Sequence, residues 1–390
     1  MKTHTIGLVI GTRPELIKMA PVVLALKKDP AFRSVVIVTG QHAQMVAAMA
    51  PLFGIQLDIE MDVMRPGDTL AGLTARIVQG AEPVLSELKP DLLIVQGDTT
   101  SVMAMALAAF YQRIPVAHVE AGLRTHNLDL PFPEEANRRL VACLAKIHFA
   151  PTTRAAHALM HEGIARKDIV VTGNTVVDAL DMVKLRAAET PLAREWAGKL
   201  KGQRLILATT HRRESWGDGL RNICAALAEI VAETPDVELV LPVHPGVAVR
   251  DTVRSALDGK PRIHLIEPLD YLSFMGLAAL SSLIITDSGG LQEEGAALGK
   301  PVIVLRNETE RPEAVEAGAA FLVGTDPVKI VGKARELLAG AAHASSLTSN
   351  PFGDGLAAER IHHSLKRWFA TGDASIPPAE EFSSAARVAA

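Results

Sequence analysis

Aromatic side chains are scarce. Phe, Trp and Tyr make up 4% of the chain, too few to build a platform on which single-stranded nucleic-acid bases stack. Positive charge is not in excess either: the formal net charge is −4, whereas neutralising phosphates needs concentrated Lys and Arg, so no nucleic-acid partner is expected. Only two cysteines occur, Cys143 and Cys224, far apart and each inside an apolar helical pattern. They read as buried reduced thiols rather than a disulfide framework. No run reaches the ~18 uninterrupted apolar residues of a membrane span, and the strand-like stretch after Met1–His4 follows no apolar leader. A cytoplasmic protein with no membrane partner is the expectation. What is present, 48% hydrophobic and 22% charged residues over a 390-residue chain, fits a globular protein too long for one core, hence two domains.

Short β-branched runs alternate with amphipathic helical stretches. Thr5–Ile10, Val35–Thr39, Leu92–Val95, Pro115–Val119 and Ile169–Thr172 read as buried parallel strands, separated by helical patterns such as Glu15–Lys27, Thr100–Tyr111 and Glu135–Lys146. After the polar stretch Glu189–Gln203 a second series begins, with strands Leu205–Thr209, Glu238–Pro242, Ile263–Ile266, Leu283–Thr286, Pro301–Leu305 and Ala320–Val323. Two such series predict an α/β protein of two Rossmann-like doubly wound domains, 1–172 and 173–355. A last amphipathic helix is expected at about 356–370, and the Pro-, Ser- and Ala-rich tail 371–390, which has no periodicity, is expected to be disordered.

Ligands of such sheets bind beyond the carboxyl ends of the strands, where this chain is unusually polar. The first strand runs into Gly11-Thr12-Arg13-Pro14-Glu15-Leu16-Ile17-Lys18. Pro14 suits a helix start, and Arg13 beside free N–H groups makes either an anion site, with Lys18 one turn on, or a solvated helix cap. The pattern is not G-x-G-x-x-G, so no bound NAD is expected. Asp98 follows the third run and either caps the next helix or faces other carboxylates. Glu120 follows the fourth, and the proline-stiffened loop Pro131–Pro133 presents Glu134 at a helix start. These acids and the neighbouring arginines form an acid/base set or a salt-bridge network.

In the second half, His211 and Arg212 follow the first strand and His244 the next. The histidines suit a phosphate or a sugar hydroxyl, and no carboxylate or Cys at ligand spacing calls for a metal. Asp287-Ser288-Gly289-Gly290-Leu291-Gln292-Glu293-Glu294 is the most informative stretch. Two glycines at a helix N-terminus let N–H groups approach a pyrophosphate, and Glu294 one turn on suits ribose hydroxyls. Phosphate plus ribose on one turn points to a nucleoside diphosphate.

The ordered set Gly-Thr-Arg-Pro-Glu, Gln41-His42, Gly97-Asp98-Thr99, His118–Thr125, Pro133–Arg138, Thr172-Gly173-Asn174, His211–Ser215, Asp287–Gly290 and Glu310-Arg311-Pro312-Glu313 resembles the UDP-N-acetylglucosamine 2-epimerase family, from about Gly7 to about Phe369. The resemblance to the bacterial non-hydrolysing type implies a GT-B-like fold whose two domains face a cleft, with the last helix packing back on the first. It implies interconversion of UDP-GlcNAc and UDP-ManNAc through 2-acetamidoglucal and UDP, without a cofactor, in cell-surface polysaccharide biosynthesis. Residue by residue, Asp98, Glu120 and Glu134 match the acid/base carboxylates and His211 the group that stabilises the departing diphosphate. Arg13 and Lys18 match contacts to phosphates and sugar, Ser288, Gly289 and Gly290 the diphosphate cradle, Glu294 the ribose contact, Arg311 a further substrate contact and Phe274 the uracil neighbour. Leu269 stands where some relatives carry Gln in the uracil-reading loop, a contact that backbone can replace. Gln41, His42, Gln44, Arg212 and His244 match an allosteric site for the substrate itself, and a homodimer is expected. A hydrolysing epimerase that releases ManNAc, an epimerase of a UDP-2,3-diacetamido sugar acid, a GT-B glycosyltransferase and a nucleotide-sugar sensor are the alternatives. The acid cluster around Glu120 and Glu134 argues against the glycosyltransferase.

Overall fold

The computed structural model describes residues 3–65, 67–210, 212, 216–340 and 350–384. Its contacts divide the chain into two units, the first built from Met1–Ala179 with Gly353–Ser384 and the second from Leu180–Phe352.

The first unit holds a seven-stranded parallel sheet of β1 (His4–Ile10), β2 (Phe32–Val38), β3 (Ile59–Glu60), β4 (Leu92–Gln96), β5 (Val116–Val119), β6 (Ile147–Ala150) and β7 (Ile169–Val171), in the order β3-β2-β1-β4-β5-β6-β7. Helices cover both faces, so the strand centres are mostly apolar, as Leu8, Val9 and Ile10 of β1 show by being wholly buried. One face packs on helices Leu70–Leu88 and Thr100–Tyr111 through Ile77, Leu85 and Met105. Strand order reverses between β1 and β4, and a doubly wound sheet opens its ligand crevice at such a point. Strands β3 and β6 escape the sequence reading. The first is two residues at an edge, and the second, Ile-His-Phe-Ala, abuts a helical pattern that extends to Lys146.

The second unit repeats the plan with β8 (Arg204–Thr209), β9 (Val237–Pro242), β10 (Ile263–Ile266), β11 (Leu283–Thr286), β12 (Val302–Val304) and β13 (Ala320–Leu322), ordered β10-β9-β8-β11-β12-β13. Its order reverses between β8 and β11. Each sheet thus places polar loops, after β1 and β4 or after β8 and β11, at its own switch point.

The division between units falls inside the helix Thr175–Ala188 rather than at residue 172. The first turn of that helix is tied to the first unit by Asp178, whose carboxylate accepts N–H bonds from Ala357 at 3.3 Å and Ala358 at 2.8 Å, the opening donors of the last helix, Ala357–Thr371. That helix packs on Arg13–Lys27 of the first unit. The tail corrects an expectation. Residues 373–384 are not a disordered extension, because Ala374, Ile376 and Phe382 are buried and Glu381 pairs with Arg166 at 2.5 Å. The Phe382 N–H also donates to Val171 O at 2.9 Å, beyond the end of β7. A few widely spaced apolar anchors dock this segment without any periodic pattern. The remainder of the tail, 385–390, lies outside the described residues.

Cys224 is buried as expected, whereas Cys143 is exposed on the outer side of helix Glu134–Leu144. Among the described residues, no helix is long and apolar enough to cross a membrane, and no group of three or more His, Cys, Asp or Glu could hold a metal ion.

Candidate functional site

At the first switch point β1 leads into Gly11-Thr12 and the helix Arg13–Lys27, where Arg13 is exposed at the first position. One turn on, Lys18 is buried, and its ammonium Nζ donates to Glu120 Oε2 at 2.5 Å. Gln96, the last residue of β4, donates Nε2 to the same oxygen at 2.8 Å. Glu120 itself leaves β5 with φ of 66°, a left-handed conformation that costs a non-glycine residue on the order of 1 kcal/mol. The fold therefore spends strain to aim this buried carboxylate, and a buried ammonium compensates its charge. Lys18, matched to a contact with phosphates and sugar, is thus held beside Glu120, another candidate site residue.

Asp98 does not cap the next helix. Thr99 does, its Oγ1 accepting from Val102 N–H at 3.3 Å, because the N-cap position falls one residue later. Asp98 is instead half-buried and accepts from Arg138 Nη2 at 2.6 Å, while Asn137 Nδ2 holds its carbonyl at 2.9 Å. Arg138 reaches back to Glu135 at 3.1 Å. Glu135 is wholly buried and also accepts from the Thr125 N–H at 3.0 Å and the His126 N–H at 3.2 Å. Glu134 heads the same helix, one residue earlier and half-buried. The salt-bridge network is present: Arg138 joins Glu135 to Asp98, and Lys18 pairs with Glu120.

Sequence reasoning missed Glu15 as an individual residue. Its carboxylate is buried and accepts from the Gly11 N–H at 2.6 Å, the Thr12 hydroxyl at 2.9 Å and the Thr99 hydroxyl at 2.8 Å. Burial pushes its carboxyl up to about 7 against these three donors. The signal available was Thr12-x-x-Glu15, a pattern that reaches across a helix start.

Two buried histidines, His118 of β5 and His148 of β6, face each other in register. Burial, above all, pushes His118 down to about 4 and His148 down to about 3. An unfolded chain takes up these protons near pH 6.5 and the folded one resists them, so folding stability falls as pH drops from about 6.5 through 4. For His118 alone the loss between about pH 7 and about pH 5 is on the order of 2 kcal/mol. Urea titrations at those two pH values should show it, and His118→Gln should reduce the difference while leaving the share of His148. Equal pH dependence in wild type and variant would refute this account.

At the second switch point the helix Gly289–Ala297 begins after β11, with Ser288 as its N-cap and its N–H held by Thr286 Oγ1 at 2.9 Å. Asp287 is wholly buried and receives the Arg212 N–H at 2.9 Å and the Thr210 hydroxyl at 3.2 Å, tying the loop after β8 to that after β11. Arg311 is buried beneath the turn. Its Nε donates to Glu293 at 2.6 Å and its Nη1 to Glu310. A Cβ on Gly289 would lie 2.8 Å from Arg311 Nη1, whereas one on Gly290 would meet nothing within 4 Å. Gly289 therefore fits the arginine below, and Gly290 keeps the space above the helix start open. Glu294 accepts from the Tyr271 hydroxyl at 3.1 Å, so Tyr271 is a further residue of this site that the sequence did not single out. Phe274 lies half-buried one turn along the helix Tyr271–Leu280. His211 lies outside the described residues.

Of the residues matched to an allosteric site, Gln41 accepts from Ser101 Oγ at 2.7 Å, His42 and Gln44 are exposed, and His244 Nδ1 accepts the Gly246 N–H at 3.1 Å. Gln41, His42 and Gln44 belong to the first unit, Arg212 and His244 to the second.

The family model for UDP-N-acetylglucosamine 2-epimerase matches residues 24–366. A UDP-N-acetylglucosamine 2-epimerase of Yersinia pestis is 50% identical over 365 residues, 92% of this chain and 97% of that protein. Among solved structures, a UDP-GlcNAc 2-epimerase from Neisseria meningitidis bound to UDP-GlcNAc is 41% identical, with a TM-score of 0.87 over 93% of this chain and 100% of that one. An S. aureus structure determined with UDP is 40% identical, with a TM-score of 0.89 over 98% of this chain and 100% of that one. On this identity and coverage the chain belongs to the UDP-N-acetylglucosamine 2-epimerase family, and is an isomerase.

Proposed function

We propose that the protein is a non-hydrolysing UDP-GlcNAc 2-epimerase that interconverts UDP-GlcNAc and UDP-ManNAc. The observation that carries this reading is the pairing, in one chain, of an open Gly-Gly helix start with two acids, Asp98 and Glu120, each held by a buried cation. A helix start with Ser288, Gly289 and Gly290 suits a diphosphate. Glu294 takes the ribose, Phe274 the uracil, and Arg13 and Arg311 further contacts to the nucleotide sugar.

In the reaction, one carboxylate of the set Asp98, Glu120 and Glu134 removes the C2 proton. The C1–O bond breaks, its electron pair leaves with UDP, and the C1–C2 double bond of 2-acetamidoglucal forms. His211 and the helix dipole stabilise the departing diphosphate. Another acid of the set delivers a proton to the opposite face of C2 while UDP adds back to C1. Protons and electrons balance without an external oxidant, so the chemistry needs no redox cofactor. Lys18 compensates the charge of Glu120 and lies with it near the phosphates and sugar. A cytoplasmic homodimer, activated by UDP-GlcNAc through Gln41, His42, Gln44, Arg212 and His244, completes the proposal.

The test is incubation of UDP-GlcNAc in deuterium oxide, followed by NMR. Deuterium at C2 of intact UDP-GlcNAc and UDP-ManNAc is the expected result. Unlabelled sugar in the presence of folded protein would sink the elimination mechanism, and free ManNAc with UDP would identify the hydrolysing reaction instead.

A further inference from the structure

Three donors converge on Glu15 from two different loops. Gly11 and Thr12 precede its own helix, but Thr99 lies 84 residues away, at the start of the helix after β4. The commonplace explanation is a capping box, in which a Thr at the N-cap and a Glu or Gln three residues on satisfy each other's N–H groups at a helix start. Thr12 and Glu15 have that spacing, yet the pattern departs from it. The Thr12 side chain accepts no N–H, and the Glu15 carboxylate takes the N–H of Gly11, which stands before the cap. Its other oxygen takes both hydroxyls, including the distant one. A cap alone needs neither the second loop nor full burial.

We infer that Glu15 is a positioning residue whose buried carboxylate clamps the loops after β1 and β4 to each other, and so holds Arg13 and Asp98 in the arrangement the reaction requires. The clamp sits at the switch point between those strands. Arg13 lies one residue from the clamped Thr12 and Asp98 one residue from the clamped Thr99, so a slip of either loop moves a candidate site group directly. Close packing supports the same lock: a Cβ on Gly11 would fall 2.6 Å from Ser101 Cβ, so the first loop lies directly on the helix that Thr99 caps. Only a carboxylate satisfies all three donors. An amide oriented to accept both hydroxyls turns its NH2 toward the Gly11 N–H. Flipped, it accepts that N–H and removes the acceptor of both hydroxyls, that of buried Thr12 and that of half-buried Thr99.

This inference rests on the proposed epimerase reaction, and Glu15→Gln separates the two. A capping role tolerates the substitution, since Gln serves in a capping box; a clamp does not. The expected result for Glu15→Gln is a kcat for UDP-GlcNAc epimerisation lowered by roughly 10²-fold, the scale of a misplacement near 1 Å, with a smaller rise in KM from the displaced Arg13. Amide hydrogen exchange, followed by mass spectrometry, should quicken in segments 11–16 and 97–102 together. Thr12→Val, which removes one hydroxyl and keeps the branched shape, should show the same changes to a smaller degree and serves if the Gln variant does not fold. Unchanged exchange in both segments overturns the clamp, as does a lowered Tm with kcat within about twofold of wild type. If the wild-type protein fails to epimerise UDP-GlcNAc, the reaction reading falls, while the exchange measurement still decides whether the loops are clamped.

Discussion

Glu120→Gln is expected to lower epimerisation by roughly 10²–10⁴-fold, the range set by loss of a general acid or base. The substitution keeps the shape of the side chain, and an amide oxygen at the Oε2 position accepts from both Lys18 Nζ and Gln96 Nε2 as the carboxylate does. The left-handed backbone at Glu120 is set by the loop rather than by the charge, so the fold should persist. What disappears is the capacity to exchange a proton. Lys18 is then a buried ammonium facing a neutral partner, which costs some stability and gives no gain in chemistry. The assay is deuterium incorporation at C2, read beside UDP affinity by calorimetry. Affinity should hold, because the proposed diphosphate grip lies in the second unit. Turnover within about tenfold of wild type would remove Glu120 from the proton transfers.

The sequence disclosed strand ends better than side-chain partnerships, for a physical reason. Continuous apolar runs such as Leu92–Val95 and Leu283–Thr286 must be buried on both faces, so the polar residue that follows each had to be at the carboxyl end of an interior strand, where the switch points are. Which partner each polar residue takes depends on helix phase and on strand order, and neither is local. Asp98 meets Arg138 because the helix Glu134–Leu144 turns that guanidinium toward β4. The phase of that helix also buries Glu135, one residue from Glu134, a distinction that two adjacent identical residues hide. Lys18 meets Glu120 across 102 positions, and Glu15 meets Thr99 across 84, only because β1, β4 and β5 lie side by side. The tail 373–384 was misjudged for a related reason: isolated Ile376 and Phe382 have no periodicity, and only the surface on which they dock makes them anchors.

Arg311→Met should destabilise the second unit by about 3–5 kcal/mol, the cost of removing one member of a buried ion network. For a unit of this size that is a fall in Tm on the order of 10 °C. The side chain is buried and donates to Glu293 on one side and Glu310 on the other, both of them buried. Replacing a whole buried ion network by apolar groups can be neutral; removing Arg311 alone is not, because two buried carboxylates then lose the guanidinium that donates to both. Arg306 also contacts Glu310, at 3.3 Å on the other carboxylate oxygen, so it offsets part of that charge without replacing the donors of Arg311. Lysine at 311 restores charge without the planar fork that donates in two directions, and should recover only part of the loss. The same arginine supports Gly289 from below, so the Met variant should also lose much of the Tm increase that saturating UDP gives the wild type. Melting curves with and without UDP measure both effects. A Met variant with wild-type Tm would show that the carboxylates of this network do not depend on Arg311. A full UDP-induced shift in a destabilised variant would separate the ion network from the diphosphate grip, because the helix start would then keep its position without the arginine beneath it.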